Sequence, residues 1–224
     1  MFEQAVQTKP NSEHCLNVEQ ARISDKAMCH SNLSILLSYR FEQLGSMGDL
    51  SEANKQAYEA VQLTDPRSPS LLLRLVNYGN ALKMKHLRSK DPQHLNEVIN
   101  EYTKALKLCR NSLPWFALVA NTLGAAHRLR HEICQNRNSD DLDKALNLHS
   151  TVLSSLLEEG SKNPKHLNNY AGALFARYKR DGTCDDLISA VNFAGEARES
   201  VSLGEIIRCS YADGLGELLL EQYH

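Results

Sequence analysis

Three histidines are the residues whose type and spacing could support chemistry. His127 and His131 lie four residues apart, so on a helix they would share one face and could chelate a metal ion. His86 occupies the position equivalent to His131 in the preceding copy of a repeat described below. No matched carboxylate or Cys-x-x-Cys pair completes a ligand shell, and Cys134 is only a speculative fourth ligand. Because buried histidines that bond neighbouring backbone are the commoner arrangement, we expect no metal and no cofactor, and a histidine pocket is the alternative.

The sequence contains no established catalytic motif. It has no glycine-rich phosphate loop, no Gly-x-Ser-x-Gly turn and no His-Glu-x-x-His motif. His131-Glu132 begins like the last of these, but Gln135 stands where the second histidine would be. We therefore predict no catalytic residue, and an enzyme is the less favoured class.

Composition excludes several classes of partner. The formal net charge is -2 at pH 7, so no basic field would attract nucleic acid or anionic lipid. No apolar run approaches the roughly 20 residues that span a bilayer, and the first residues do not form a secretory signal. The 6 cysteines are far apart, which is typical of free thiols packed as small hydrophobic residues. These features predict a cytoplasmic, reducing location without nucleic acid or membrane.

A repeat of about 45 residues runs through the chain. One segment recurs as Asn32–Arg40, Asn77–Lys85, Thr122–Arg130 and Asn169–Arg177, with a weaker copy at Ser210–Leu218. Its third position is small in every copy: Ser34, Gly79, Gly124, Ala171 and Ala212. A second segment recurs at the same period, beginning at Leu50, Leu95, Leu142 and Leu187. Each repeat therefore contains two helices, which we call helix A and helix B, and no strand pattern competes.

Helix boundaries agree with this division. Asp91-Pro92 and Asn163-Pro164 each place a capping residue before a proline at the first helical position. Asp49 and Thr183 are each followed three residues later by an acidic residue, which predicts capping boxes. We predict an all-α protein of about nine helices. The segments are 1–27 (a partial repeat and linker), 28–66, 67–113, 114–161, 162–204 and 205–224 (a half-repeat).

The pattern resembles the tetratricopeptide repeat. A small residue on helix A is followed on helix B by three small or aromatic residues, as with Ser34 and then Ala53, Ala57 and Ala60. The unit is longer than the ordinary one of roughly 34 residues and resembles the long repeats of fungal proteins that often precede a CHAT protease domain. No such domain is present, and armadillo or HEAT units share the period but fit the small residues less well. The resemblance implies a right-handed superhelical solenoid of antiparallel helix pairs.

In tetratricopeptide arrays the A helices line a concave groove, and the resemblance therefore implies a binding surface. The groove residues that it implies are Tyr39, Asn77, Asn80, Lys83, Asn121, Arg128, Asn168, Asn169 and Phe175. Asparagine amides can pair with a peptide backbone, and the two bases could hold a carboxylate or phosphate. In the alternative interpretation these asparagines bond neighbouring elements and the bases are only solvated.

A basic residue ends helix A in every repeat, as Arg40, Lys85, Arg130 and Arg177. A position repeated in every unit more often serves the stacking than a ligand. We predict that these residues pair with the acid at the next helix start, namely Asp49, Asp91, Asp141 and Asp186.

The favoured function is an adaptor that binds a protein or peptide in the concave groove. Two alternatives stay open: a helical-repeat enzyme or small-molecule binder using His86, His127 and His131, and a regulatory fragment of a larger CHAT-type signalling protein. Both ends of the chain resemble half-repeats, which predicts either a larger array or self-association through those ends.

Overall fold

The structure is a computed structural model that describes residues 12–109, 112–134, 140–158 and 163–200. Within these residues the chain is entirely helical apart from its turns, which confirms the all-α prediction. The eight helices are α1 (Ser12–Leu44), α2 (Met47–Gln62), α3 (Ser70–Ser89), α4 (Pro92–Leu108), α5 (Leu113–Cys134), α6 (Asp141–Glu158), α7 (Pro164–Asp181) and α8 (Cys184–Glu199). The ninth predicted helix, in residues 205–224, lies outside the described residues.

The chain divides into two compact units near residue 88. In the first unit α1 packs against α2, and α3 joins them through the rings of Tyr58 and Tyr78, whose centroids are 5.7 Å apart. In the second unit each of α4 to α8 packs on the next, and α5 also contacts α7. Contacts between consecutive helices are those expected of stacked helical hairpins.

Two predicted boundaries differ from the observed elements. Helix α1 is continuous from Ser12 to Leu44, so residues 12–27 belong to a long helix and not to a linker. The division near residue 88 separates α3 from α4, and it therefore falls inside the predicted segment 67–113. The repeat pattern of the sequence does not indicate this division.

The helix ends follow the predicted chemistry at two of four starts. Asp91 accepts from the Gln93 amide and Asn163 from the Lys165 amide, each with proline at the first helical position. The capping box at Asp49 is wrong: α2 starts earlier, with Ser46 as its N-cap. Thr183 is the N-cap of α8, but its side chain makes no cap hydrogen bond. Gly182 ends α7 at φ 75°, a left-handed conformation that glycine adopts without strain.

The small residue of helix A is where the two helices of a repeat meet. Ser34 is buried, and its hydroxyl donates to the Ala53 carbonyl of α2 at 2.8 Å. Ala171 is buried in a core cluster with Leu187, Ala190 and Ala194 of α8. Because both residues are buried at this contact, a larger side chain there would overpack it.

The third repeat meets the same constraint with a different pair. A Cβ atom built on Gly124 would lie 2.7 Å from Nε2 of His149, closer than such atoms come in real proteins. His149 of α6 stands at the position that Ala194 holds in α8, four residues after the buried Ala145 and Ala190 respectively. In the third repeat a large residue on helix B, His149, therefore meets a glycine on helix A, Gly124. In the fourth repeat an alanine on helix B, Ala194, meets an alanine on helix A, Ala171.

We predict that Gly124→Ala lowers the free energy of unfolding, because the new methyl group overlaps the His149 ring. Overpacking of this kind costs about 1–3 kcal/mol and outweighs the roughly 1 kcal/mol that alanine gains over glycine in a helix. Adding His149→Ala recreates the alanine pair of the fourth repeat. The double variant should therefore lose less unfolding free energy than the sum of the losses in the two single variants. Urea denaturation of all four proteins measures this coupling.

Gly195→Ala is the matched control, since nothing lies within 4 Å of a Cβ atom at that helical glycine. It should stabilise the protein by up to about 1 kcal/mol. If Gly124→Ala behaves like this control, or if its effect simply adds to that of His149→Ala, the pairing of the two positions is refuted.

Candidate functional site

His127 lies in the core of the second unit, where the other repeats have the buried residues Leu37, Leu82 and Leu174. Its Nδ1 is 2.8 Å from Oδ1 of Asp141, at the start of α6. The same carboxylate accepts two hydrogen bonds from Arg130, at 2.8 Å from Nε and 2.5 Å from Nη2. His127 therefore adds a third side chain to the Arg130–Asp141 contact between helices A and B.

Protonation states in this group follow from burial. Burial lowers the pKa of His127 more than Asp141 raises it, so the imidazole is neutral at neutral pH and its Nδ1–H donates to the carboxylate. Burial alone would raise the pKa of Asp141, but hydrogen bonds from Arg130 and His127 outweigh it and lower that pKa. The arrangement is a charged Asp141–Arg130 pair with a neutral histidine attached.

The other two predicted histidines are also buried. His131 is 9% exposed and its Nδ1 makes no hydrogen bond, and His86 is fully buried in the first unit. Within each unit the described residues contain no cluster of three His, Cys, Asp or Glu side chains that could hold a metal ion.

The sequence prediction missed His149 and His166. His149 is 2% exposed, and neither of its ring nitrogens has a hydrogen-bond partner. Burial, with a smaller contribution from the nearby charge of Arg128, lowers the pKa of His149 to about 3. The signal for His149 was available in the repeat alignment, where Ala57, Tyr102 and Ala194 hold the equivalent positions.

Arg128 and His166 surround this histidine. Arg128 pairs with Glu132 on its own helix, and its buried Nε has no hydrogen-bond partner. Its guanidinium lies over Gly172 of α7, with Nε and Cζ 3.5 Å from where a Cβ would be. His166 of α7 has a buried Nδ1 that also lacks a partner, and burial lowers its pKa. The group therefore holds neutral imidazoles beside one guanidinium.

Three of the predicted groove asparagines bond from one A helix to the next. Asn77 donates to the Ser31 hydroxyl at 3.2 Å, and Asn169 donates to the Asn121 carbonyl oxygen at 3.1 Å. The two bonds join equivalent positions, once in each unit. Asn121 is 2% exposed, so its amide is committed inside the fold. At the position of Asn77 and Asn169 the third repeat has Thr122, whose hydroxyl bonds carbonyls of its own helix.

The remaining groove residues are spread along the A helices. Asn80 is exposed, and Lys83 and Asn168 are half-buried. The ring of Phe175 stacks on Tyr178 at 6.2 Å and lies 4.2 Å from the Lys179 ammonium.

The predicted pairing of helix-end bases with helix-start acids is confirmed in three repeats. Arg40 binds Asp49 and Arg177 binds Asp186, each through two hydrogen bonds of 2.6–2.7 Å. Arg130 binds Asp141 in the same way. Each pair spans one turn between helices A and B, which explains why the arginine recurs.

An apolar surface is exposed on α1. We call Leu33, Leu36 and Tyr39 the α1 face; they are 44%, 65% and 62% exposed. They lie on the side of the helix opposite Ala27, Ser34 and Leu37, which are buried. Large apolar side chains grouped in this way are a common feature of interaction sites.

The cysteines differ from the prediction. Cys29, Cys134 and Cys184 are exposed free thiols, and only Cys109 of the four described cysteines is partly buried. The three exposed thiols therefore do not serve as small core residues.

Comparisons with known proteins do not assign this chain to a family. No protein-family model matches the sequence, and no curated protein matches it. Among the described helices, none is long and apolar enough to cross a membrane.

We predict that stability falls on acidification below pH 6.5, and that His149 is a main cause. The unfolded histidine binds a proton near pH 6.5, whereas the folded one does not until about pH 3. Between these two pH values the unfolded state binds one proton more than the folded state at His149. The free energy of unfolding therefore decreases by about 1.4 kcal/mol for each unit by which the pH falls. His127 and His166 shift in the same direction and add to the slope.

Urea denaturation between pH 6.5 and about pH 4 tests this dependence in wild type and His149→Tyr. Tyrosine is chosen because Tyr102 is fully buried at the equivalent position. The variant should give a shallower slope, whatever its absolute stability. Gly195→Ala, which changes no titrating group, should keep the wild-type slope. Parallel curves for wild type and His149→Tyr would rule out His149 as the source.

Proposed function

We propose that this protein is a non-enzymatic helical-repeat module that binds a segment of another protein, with the architecture of a lengthened tetratricopeptide array. Support comes from the stacked helix pairs with a period of about 45 residues and from the exposed α1 face. The groups that resemble catalytic residues are engaged in the fold: His127 with Asp141 and Arg130, and His149 against Gly124.

The observation that carries the proposal is the exposure of Leu36. Its equivalents in the later repeats are Ala81, Ala126 and Ala173, all of which are buried. Leu33 and Tyr39 flank it on the same side of α1 and are also exposed. The fold therefore covers this position in three repeats, whereas in the first repeat the position is exposed and holds a larger side chain.

The occupant that fits this face is an amphipathic helix of a partner protein. Ala173 shares its core cluster with Leu142 and Leu146 of α6, so a helix is what covers this position within the array. Leucine is larger than alanine, and a helix packed on Leu36 must lie farther from α1 than neighbouring repeats lie from each other. Recognition through apolar residues at helical spacing is a common mode for such grooves and ridges.

The part of the predicted groove that lies on α3 is a second place where the same function could reside. Lys83 and Asn80 retain exposed surface on this helix. Asn77 joins α3 to α1, the other A helix of the first unit. Binding there would depend on the lysine charge, whereas binding at the α1 face would depend on Leu36.

A cytoplasmic, reducing location accompanies this proposal. Cys29, Cys134 and Cys184 are exposed thiols without a disulfide. Exposed thiols persist in this state where glutathione and thioredoxin keep them reduced.

We predict that the chain selects amphipathic helical peptides, and that Leu36→Asp weakens their binding by about ten-fold or more, because a carboxylate would be buried against apolar residues. A displayed library of peptides of about 18 residues, long enough to form a helix, provides the probe. Enriched peptides should carry apolar residues at positions i, i+3 or i+4 and i+7. Isothermal titration then gives Kd for wild type and the variant.

Leu73→Asp is the matched control, since Leu73 of α3 is 45% exposed, as Leu33 is, but lies outside the α1 face. It should leave Kd unchanged. Failure to enrich any helical peptide, or equal binding by wild type and Leu36→Asp, would refute binding at the α1 face. Loss of peptide binding in Lys83→Gln but not in Leu36→Asp would place the site at Lys83 instead. A wild-type dimer in sedimentation that Leu36→Asp converts to monomer would replace the partner helix with a second copy.

A further inference from the structure

The first unit contains a cleft of about 330 Å³ at the turn between α2 and α3. Two residues of α1, the connecting segment and one residue of α3 line it. The polar side chains of the lining include Gln20, Ser24, Thr64, Arg67, Ser68 and Arg74. Its volume lies at the lower end of the range for small-molecule sites.

Arg74 is a buried cation in the wall of this cleft. It is 7% exposed, and it donates to the Thr64 hydroxyl and, at 3.5 Å, to the Ser24 carbonyl. Thr64 gives its own proton to the Ala60 carbonyl, so it serves Arg74 as an acceptor. A guanidinium has five N–H groups, and these two bonds leave the others for a further acceptor.

No carboxylate pairs with Arg74 in the part of the chain that the structure describes. The contrast with the other arginines is direct, because Arg40, Arg130 and Arg177 each bind an aspartate through two hydrogen bonds. Burial lowers the pKa of Arg74, and no ion pair among the described residues offsets it, although arginine stays charged at neutral pH. A buried charge without a counter-ion is costly, and proteins rarely retain one.

The rest of the cleft suits an anion. Arg67 lies in the wall with Arg74, and Ser24, Ser68 and Gln20 can donate hydrogen bonds. Asp65 is the one acidic lining residue, and its Oδ1 accepts from the Arg67 amide at 2.7 Å. With Arg67 and Arg74 against Asp65, the wall carries one net positive charge.

We propose that this cleft binds the oxyanion group of a small molecule, a phosphate or a carboxylate, with Arg74 as its principal ligand and Arg67 and Ser68 at the entrance. Planar guanidinium groups match the oxygen spacing of both anions and bind them through paired hydrogen bonds. The bound anion supplies the counter-charge that Arg74 lacks. The proposal is independent of protein binding at the α1 face, which uses other residues.

The test is a titration of the whole chain with sodium phosphate, glycerol 3-phosphate and sodium acetate, each compared with sodium chloride at equal ionic strength. Binding is followed by the amide NMR shifts of the wild-type protein and by its melting temperature. We expect saturable shifts centred on residues 63–68, and a rise in melting temperature above that in chloride. Stronger effects of phosphate and its ester than of acetate would identify a phosphorylated ligand, and the reverse a carboxylate.

Arg74→Gln should weaken binding by about ten-fold or more, and Arg67→Gln by a few-fold, since the second residue is at the rim. Arg22→Gln is the matched control: Arg22 is an exposed arginine on α1 outside the cleft, and its loss should leave Kd unchanged. Arg67→Gln and the wild-type shift map keep the test valid if Arg74→Gln does not fold. Shifts that are absent, that lie away from residues 63–68, or that do not change in Arg67→Gln would overturn the proposal.

Discussion

Close approach of helix A to helix B within each repeat is the constraint on which the rest of the structure depends. It requires that the side chains at one crossing point fit together in size, and the chain meets this in two ways. Ser34 bonds the Ala53 carbonyl and Ala171 packs with Ala194, whereas Gly124 leaves room for the ring of His149. Because interiors are close-packed, the crossing fixes which further residues of each helix are buried.

Charge is organised around the turns that join these helices. An arginine near the end of helix A pairs with an aspartate at the start of helix B, as Arg40 does with Asp49 and Arg177 with Asp186. In both pairs the aspartate is mostly buried, whereas the arginine keeps contact with water. Such pairs orient a turn more than they stabilise it. Arg74 departs from this rule, since it is buried without an acid, and the cleft beside it is therefore the part of the first unit where a ligand would complete the electrostatics.

The histidines illustrate how a chemically suggestive spacing can serve the fold. His127 and His131 are four residues apart, as a metal site would need, but His127 is bonded to Asp141 and the two imidazoles are buried in the second unit. The proposed function therefore rests on surfaces, above all on Leu36, whose equivalents in the other repeats are covered alanines.

The sequence by itself determined the helical class, the period, the caps at Asp91 and Asn163 and the pairing of Arg40, Arg130 and Arg177 with aspartates. These are local or periodic properties, set by residues within a few turns of one another. Tertiary structure decided the unbroken course of α1, the division near residue 88, the burial of His149 and the cleft at Arg74. Each of these depends on which residues distant in sequence come into contact, and a periodic pattern records that a face is buried without recording what covers it.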